Sequence, residues 1–172
     1  MIMSTIFPEA DVTEGLKSAM RLYASGVTVI TAGQGAGRRG LTATAFTSVT
    51  MDPPTVLVCV NRNGQAHDAI VENGHFCVNV LCEEARDVAE SFAGMTGKTG
   101  ADQFEGFEWI ETRVGAPAYA FAQAAVACKL TQTLETASHS IFIGEVCEAA
   151  TNPDRTPLLH FNRGFHAIGA LK

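Results

Sequence analysis

From Val27 to Ile168 the chain is a succession of short apolar, β-branched segments cut by Gly, Pro and Asn. Few folds accommodate that rhythm. Val27–Ala32 reads as a strand, Gly33–Gly40 as a glycine-rich turn, and Leu41–Thr50 as a second strand. Pro53 and Pro54 interrupt it. Thr55–Val60 is a third strand, apolar enough to be buried on both faces. His75–Leu81, Ala124–Leu134, Ile141–Ala150, Leu158–Phe161 and Phe165–Ile168 follow in the same style, with Glu135–Ser140 joining the two longest. Helical spacing is confined to Asp11–Ser25, Gln65–Glu72 and Glu83–Phe92. In the first of these, Val12, Leu16, Ala19, Met20 and Tyr23 recur every third or fourth residue; Asp11 or Thr13 caps its start and Gly26 its end. Gly94 stops the last helix, and Gly94–Gly106 is a polar, glycine-rich loop. The sum is about seven strands and two or three helices, mostly strand-turn-strand, which predicts a mainly β fold with peripheral helices around an antiparallel barrel. No repeat or long linker divides residues 1–172, so one domain is expected.

With 47% hydrophobic and 17% charged residues the chain can build a core and is not disordered. Its net charge of −6 excludes the broad basic field of a nucleic-acid binder. The 12 Lys and Arg residues are scattered, and Arg38-Arg39 is the only adjacent pair, so an anionic ligand must be held by local donors. No segment approaches the roughly 18 apolar residues of a membrane span. Met1–Ile6 lacks the pattern of a signal peptide, and a soluble, cytoplasmic protein is expected. The five cysteines (Cys59, Cys77, Cys82, Cys128 and Cys147) are odd in number and include no C-x-x-C. Free thiols in a reducing compartment and no metal centre fit that usage.

Several local patterns bear on chemistry. Gly35-Ala36-Gly37-Arg38-Arg39-Gly40 is a literal G-x-G-x-x-G. The dinucleotide fingerprint, however, requires a helix to start at the glycines so that its amides meet a pyrophosphate. A strand follows here instead, so a hairpin turn is the better reading. The strand carrying Thr42, Thr44, Thr47, Ser48 and Thr50 fits either a half-buried strand of good β-formers or a wall of small side chains beside a planar ligand. Asn61-Arg62-Asn63-Gly64-Gln65 is either a plain turn or a phosphate seat of amides and a guanidinium. His139, between the two long strands, is either a solvated turn residue or a donor beside a pocket. His67, His75, His160 and His166 have no metal-ligand spacing and are assigned no chemistry. No G-x-S-x-G is present, and Glu83-Glu84 suits a helix N-terminus.

Taken in order, these segments resemble the short-chain flavin reductases with an FMN-binding split barrel, including the reductase components of two-component flavin monooxygenases such as 4-hydroxyphenylacetate monooxygenase. The resemblance runs from about Gly15 to Ala170. It is carried by Leu41–Thr50 leading into Pro53-Pro54, by Val58–Asn63, Phe76–Leu81 and Phe92-Ala93-Gly94, and by Phe104, Trp109 and Gly115-Ala116-Pro117. Ser138-His139, Gly144-Glu145-Val146 and Pro157-Leu158-Leu159 through Arg163-Gly164-Phe165 complete it.

The resemblance implies an antiparallel split barrel, a homodimer, and hydride transfer from NADH or NADPH to FMN or FAD. A partner monooxygenase would then receive the reduced flavin. It places Thr42, Ala43, Thr44, Ala45, Phe46, Ser48 and Thr50 along the flavin ring and ribityl chain. Asn61, Arg62, Asn63 and Gln65 fall at the phosphate end with Phe92 nearby, and Arg163 and Phe165 approach from the C-terminal side. His139 falls in the family's Gly-Asp-His signature, linked to nicotinamide, although here its neighbours are Ala137-Ser138. Asn63-Gly64 stands where the family commonly has Ser. These departures bear on the nicotinamide preference and the phosphate contacts, and would also suit a specialised acceptor such as a corrinoid. A pyridoxamine-phosphate oxidase type of enzyme would carry more basic residues. A non-catalytic flavin-binding or storage protein would show the same pocket.

Overall fold

The computed structural model describes residues 11–169, so the signal-peptide reading of Met1–Ile6 and the last matched residue, Ala170, lie outside it. Seven strands form one antiparallel sheet in the order β3-β2-β6-β9-β10-β5-β4. They are β2 (Thr28–Ala32), β3 (Arg39–Ala43), β4 (Phe46–Met51), β5 (Pro54–Asn61), β6 (His75–Val80), β9 (Ala124–Glu135) and β10 (His139–Thr151). The expected strand Leu41–Thr50 is therefore two strands, broken at Thr44-Ala45, and the two halves stand at opposite ends of the pairing order. Only three Cα steps of about 3.8 Å separate Ala43 from Phe46. The two ends of the sheet must therefore meet, and the sheet curls into a barrel left open along the β3/β4 seam. This is the split antiparallel barrel, mainly β with peripheral helices.

Side-chain alternation explains how the barrel fills. Val56, Val58 and Val60 of β5 point inward with Ile30, Phe76, Val78, Cys128 and Phe142. Leu57 and Cys59 face the other way and are only half-buried, so β5 is not buried on both faces as its composition suggested. That property belongs to β2, every residue of which is buried, because the helix at Arg86–Phe92 and the loops behind it cover its outer face. The second core lies there: Val27, Val29, Leu81, Val88, Phe92, Phe104 and Leu158.

Three helices flank the barrel: α1 (Val12–Arg21), α2 (Gln65–Asn73) and α3 (Arg86–Phe92). Asp11 caps α1 by accepting from Thr13 N at 2.9 Å. The helix ends at Arg21 and not near Ser25, because Ser25–Gly26 forms a short strand, β1, in which Gly26 pairs with Leu159; Gly26 is not its stop. The expected helix Glu83–Phe92 opens with a 3-10 turn, Glu83–Ala85, before α3. Gly94 follows with φ +75, as a helix-stopping glycine should. Two small sheets complete the fold: β1 with β11 (Leu158–Phe161) and β12 (Gly164–Ala167), the last two at the expected terminal strands, and the hairpin of β7 (Trp109–Glu111) and β8 (Pro117–Tyr119), which the sequence pattern did not show. Buried Asn79 ties that hairpin to the wall. Its Oδ1 accepts from Tyr119 N at 2.7 Å, while its Nδ2 donates to Val29 O and Thr31 Oγ1 at 3.0 and 3.2 Å.

Among the described residues no helix is long and apolar enough to cross a membrane. No cluster of His, Cys, Asp and Glu suited to a metal ion is present among them.

Candidate functional site

Strand β3 pairs only with β2, so its outer edge is free, and two cavities of about 310 Å³ each lie along it. The first takes Arg39, Gly40 and Leu41 from β3, and the second takes Thr42, Ala43 and Thr44 from β3 and the β3–β4 connection. Ala93, just past α3, borders both, so they read as one groove.

At the first end the chain leaves β5, turns, and starts α2. The turn is tied by Asn61 Oδ1 accepting from Asn63 N at 2.9 Å and by Gly64 N donating to Asn61 O at 3.2 Å. Gly64 stands at the N-cap of α2 with no side chain to accept from the first amides; His67 N donates back to Gly64 O at 3.0 Å, which leaves the Gln65 and Ala66 amides for an anion. Arg39 and Lys98 line the same cavity. One Arg39 nitrogen, Nη1, donates to Ala36 O and Arg38 O at 2.8 and 2.7 Å. No carboxylate pairs with that guanidinium among the described residues. Lys98 is held loosely, 3.7 Å from Glu105. Gly40 lets the wall close: a Cβ there would stand 2.6 Å from the Phe92 ring. That ring is fixed edge-on to Phe104 (4.8 Å) and to Trp109 (5.5 Å).

At the second end, Thr42–Thr44 stand with His160, Arg163 and Phe165 from the β11–β12 hairpin. Asn162 and Arg163 make the turn of that hairpin with φ of 47° and 66°, the pattern of a type I′ turn. Asn accepts that conformation readily; Arg does so rarely.

The sequence-expected residues divide accordingly. Thr42, Ala43, Thr44, Arg163 and Phe165 meet in the second cavity, and Asn61, Gln65 and Phe92 in the first. Thr42 already spends its proton on Ala89 O at 2.7 Å, so its hydroxyl is left as an acceptor. The others lie outside both cavities. Ala45 accepts from Cys59 N at 3.1 Å, and Phe46 packs into the barrel core. Ser48 and Thr50 sit exposed on β4, across the seam from β3. Asn63 is exposed in the turn. Arg62 is engaged by Glu135 at 3.1 Å and by Thr136 O at 3.4 Å. His139 opens β10 and is no turn residue; it pairs with Asn61, its ring Nδ1 lies 2.8 Å from Ser138 Oγ, and it is exposed.

Sequence reasoning passed over Arg39, Lys98 and His160. Arg39 had a signal, as half of the chain's only adjacent basic pair. His160 had none, since only the folded hairpin brings it opposite Thr42–Thr44.

A groove with the Arg39 guanidinium, a loosely paired Lys98 and helix amides at one end, and a shelf of small residues facing an aromatic and two further donors at the other, fits a planar polar ring carrying a phosphate. The chain is also similar to known proteins. Residues 20–169 match the family model described as flavin reductase like domain. The FMN reductase (NADH) RutF of Pseudomonas syringae pv. syringae is 36% identical over 164 residues, covering 95% of this chain and 91% of the relative. The 4-hydroxyphenylacetate 3-monooxygenase reductase component of Pseudomonas aeruginosa is 36% identical over 155 residues, covering 90% and 91%. Among solved structures, an NADH:FAD oxidoreductase of Streptomyces globisporus in complex with NAD and FAD fragments superposes with a TM-score of 0.82 at 33% identity, covering 91% and 93%. A putative flavin reductase from Haemophilus somnus reaches 0.86 at 30% identity, covering 92% and 100%.

Proposed function

The chain belongs to the flavin reductase-like family, and from that premise and the groove along β3 we propose that it uses NADH or NADPH to reduce FMN or FAD in that groove. The observation that carries the site assignment is the pairing of a cationic, amide-rich end with a Thr42–Thr44 shelf along one strand. Arg39, Lys98 and the first amides of α2 hold the phosphate, with Asn61 and Gln65 beside them. Phe92, locked by Phe104 and Trp109, sets the wall position. Thr42, Ala43 and Thr44 line one side of the ring, and Arg163 and Phe165 line the other.

A bound flavin supplies the redox chemistry, accepting hydride from nicotinamide. The part of the protein would be to hold the flavin ring between the Thr42–Thr44 shelf and Phe165 so that the nicotinamide can stack on it; the step needs no general base. His139, outside both cavities but paired on the sheet with Asn61 of the first, serves as a nicotinamide-orienting donor.

The working unit is a homodimer of one-domain subunits. Two features support it. The apolar face of α1, with Val12, Leu16 and Met20, has no buried residue. The outer face of the β9–β10–β5 wall aligns Leu134, Ile141 and Cys59 in register, with Ile143 and Leu57 beside them. Five free cysteines suit a cytoplasmic setting, and a partner monooxygenase is the acceptor favoured by the family.

The deciding experiment follows NADH and NADPH consumption by purified protein with FMN, FAD or riboflavin added. Flavin-dependent turnover supports the proposal. Tight flavin binding with no consumption of either nicotinamide overturns it in favour of a storage protein.

A further inference from the structure

The second cavity holds two donors that the fold leaves without partners. Arg163 makes no ion pair among the described residues. It also occupies the left-handed region at φ +66, where glycine is the usual residue of a type I′ turn. A non-glycine residue kept in such a conformation points to a use for its side chain. His160 is the other donor. Among the histidines, His67, His139 and His166 each place a ring nitrogen within hydrogen-bond distance of a protein atom. No such partner engages His160 among the described residues, although it is only half-exposed. Its orientation is fixed by backbone pairing to Ser25 on one side and Phe165 on the other, and by an edge-on ring contact with Phe165 at 6.2 Å. The phosphate end is already served by Arg39 and Lys98 in the adjoining cavity. A second positive site at the ring end therefore calls for a second negative charge.

Hydride transfer supplies one. Two electrons and one proton leave the nicotinamide, which becomes a cation, and enter the flavin ring, which gains one negative charge. Resting on the function proposed above, we infer that Arg163 and His160 form a charge-sensing pair that binds the ring of reduced flavin more tightly than that of oxidised flavin. The pair thereby raises the potential of the bound flavin and makes hydride acceptance more favourable. Thr44 offers a neutral hydroxyl on the facing wall, and among the described residues that line the cavity there is no carboxylate to oppose the effect.

The test measures binding, not turnover. Oxidised flavin, and the same flavin reduced chemically without oxygen, are titrated against the protein, with Trp109, the only tryptophan, as the fluorescence reporter beside Phe92. Wild type is expected to bind the reduced form about tenfold more tightly, equivalent to about 30 mV for a two-electron couple. Arg163→Gly removes the charge and the unfavourable φ together. It should erase most of that preference, change oxidised-flavin affinity less than about threefold, and leave the melting temperature unchanged or higher. His160→Phe keeps the edge-on ring contact and should lose part of the preference; His160→Gln, which keeps a donor, should recover some. Equal wild-type affinity for both forms overturns the inference, as does an Arg163→Gly variant that keeps the preference or weakens both forms equally. A wild type that binds no flavin overturns the function itself, whereas one that binds and turns over flavin without preference overturns only this step.

Discussion

Arg39 shows how much one side chain decides at the phosphate end of the groove. Its guanidinium is positioned by its own hairpin, through Ala36 O and Arg38 O, and no carboxylate among the described residues neutralises it. A charge-assisted bond to phosphate contributes about 1.5–3 kcal/mol. Arg39→Ala should therefore raise the KM for FMN about tenfold or more and leave that for riboflavin, which lacks the phosphate, nearly unchanged. Steady-state assays with both flavins check this, and parallel increases would remove Arg39 from the site. His139 stands apart from the groove, tied to Ser138 and paired with Asn61. His139→Ala should raise the nicotinamide KM several-fold, on the scale of one hydrogen bond, with little effect on flavin binding. Weakened flavin binding at unchanged nicotinamide KM would contradict the role given to it.

Individual elements carry their own constraints. In β10, Gly144 sits where the register with β9 shifts, and a Cβ there would lie 2.6 Å from the Phe76 ring and 2.8 Å from Cys128 Cβ. Both neighbours belong to the barrel core and cannot swing away. Gly144→Ala should destabilise the fold by about 1–3 kcal/mol, visible as a lower denaturant midpoint. Helix α1 poses the opposite situation. Ten residues make a marginal helix in water, and Val12, Leu16 and Met20 are 84%, 62% and 55% exposed. If the second subunit covers them, Leu16→Glu should shift the protein toward monomer in analytical ultracentrifugation without unfolding the barrel. An unchanged dimer would place the interface elsewhere. The α1 apolar spacing was legible from the sequence, but nothing in that spacing said that the barrel of the same chain would leave it uncovered.

At the scale of the whole molecule, burial sets the alkaline limit of stability. Removal from water pushes the Cys77 and Cys128 thiols up to about 12 from an ordinary 9.0. Both remain protonated in the folded chain after an unfolded chain has begun to ionise. Their contribution is thus intact below pH 9.0 and is lost progressively as pH rises from there toward 12. The slope reaches at most about 1.4 kcal/mol per pH unit for each thiol. Denaturant titrations across that range should show the decline, and a Cys77→Ala, Cys128→Ala variant should flatten it. In native protein at mild pH, exposed Cys147 should react with a thiol reagent well before Cys77, Cys82 or Cys128, which are buried.

Local patterns carried the mainly β class, most strand positions, the helix caps at Asp11 and Gly94, and the hairpin nature of Gly33–Gly40, since each depends on neighbours within a few residues. Thr42–Thr44, Asn61, Gln65, Arg163 and Phe165 came from the resemblance that those motifs carry when taken in order, not from any local pattern. Tertiary structure decided what depends on distant segments. Leu41–Thr50 has one composition throughout, yet the seam of the barrel divides it and puts Ser48 and Thr50 on a separate strand, β4. Arg62 looked like a phosphate donor beside Asn61 until the β9–β10 hairpin brought Glu135 within 3.1 Å. Arg39 and His160, 121 positions apart by their numbering, border one groove only because β3 and the β11–β12 hairpin frame it together. Periodicity fixes which face a side chain takes, and chain closure in three dimensions fixes what that face meets.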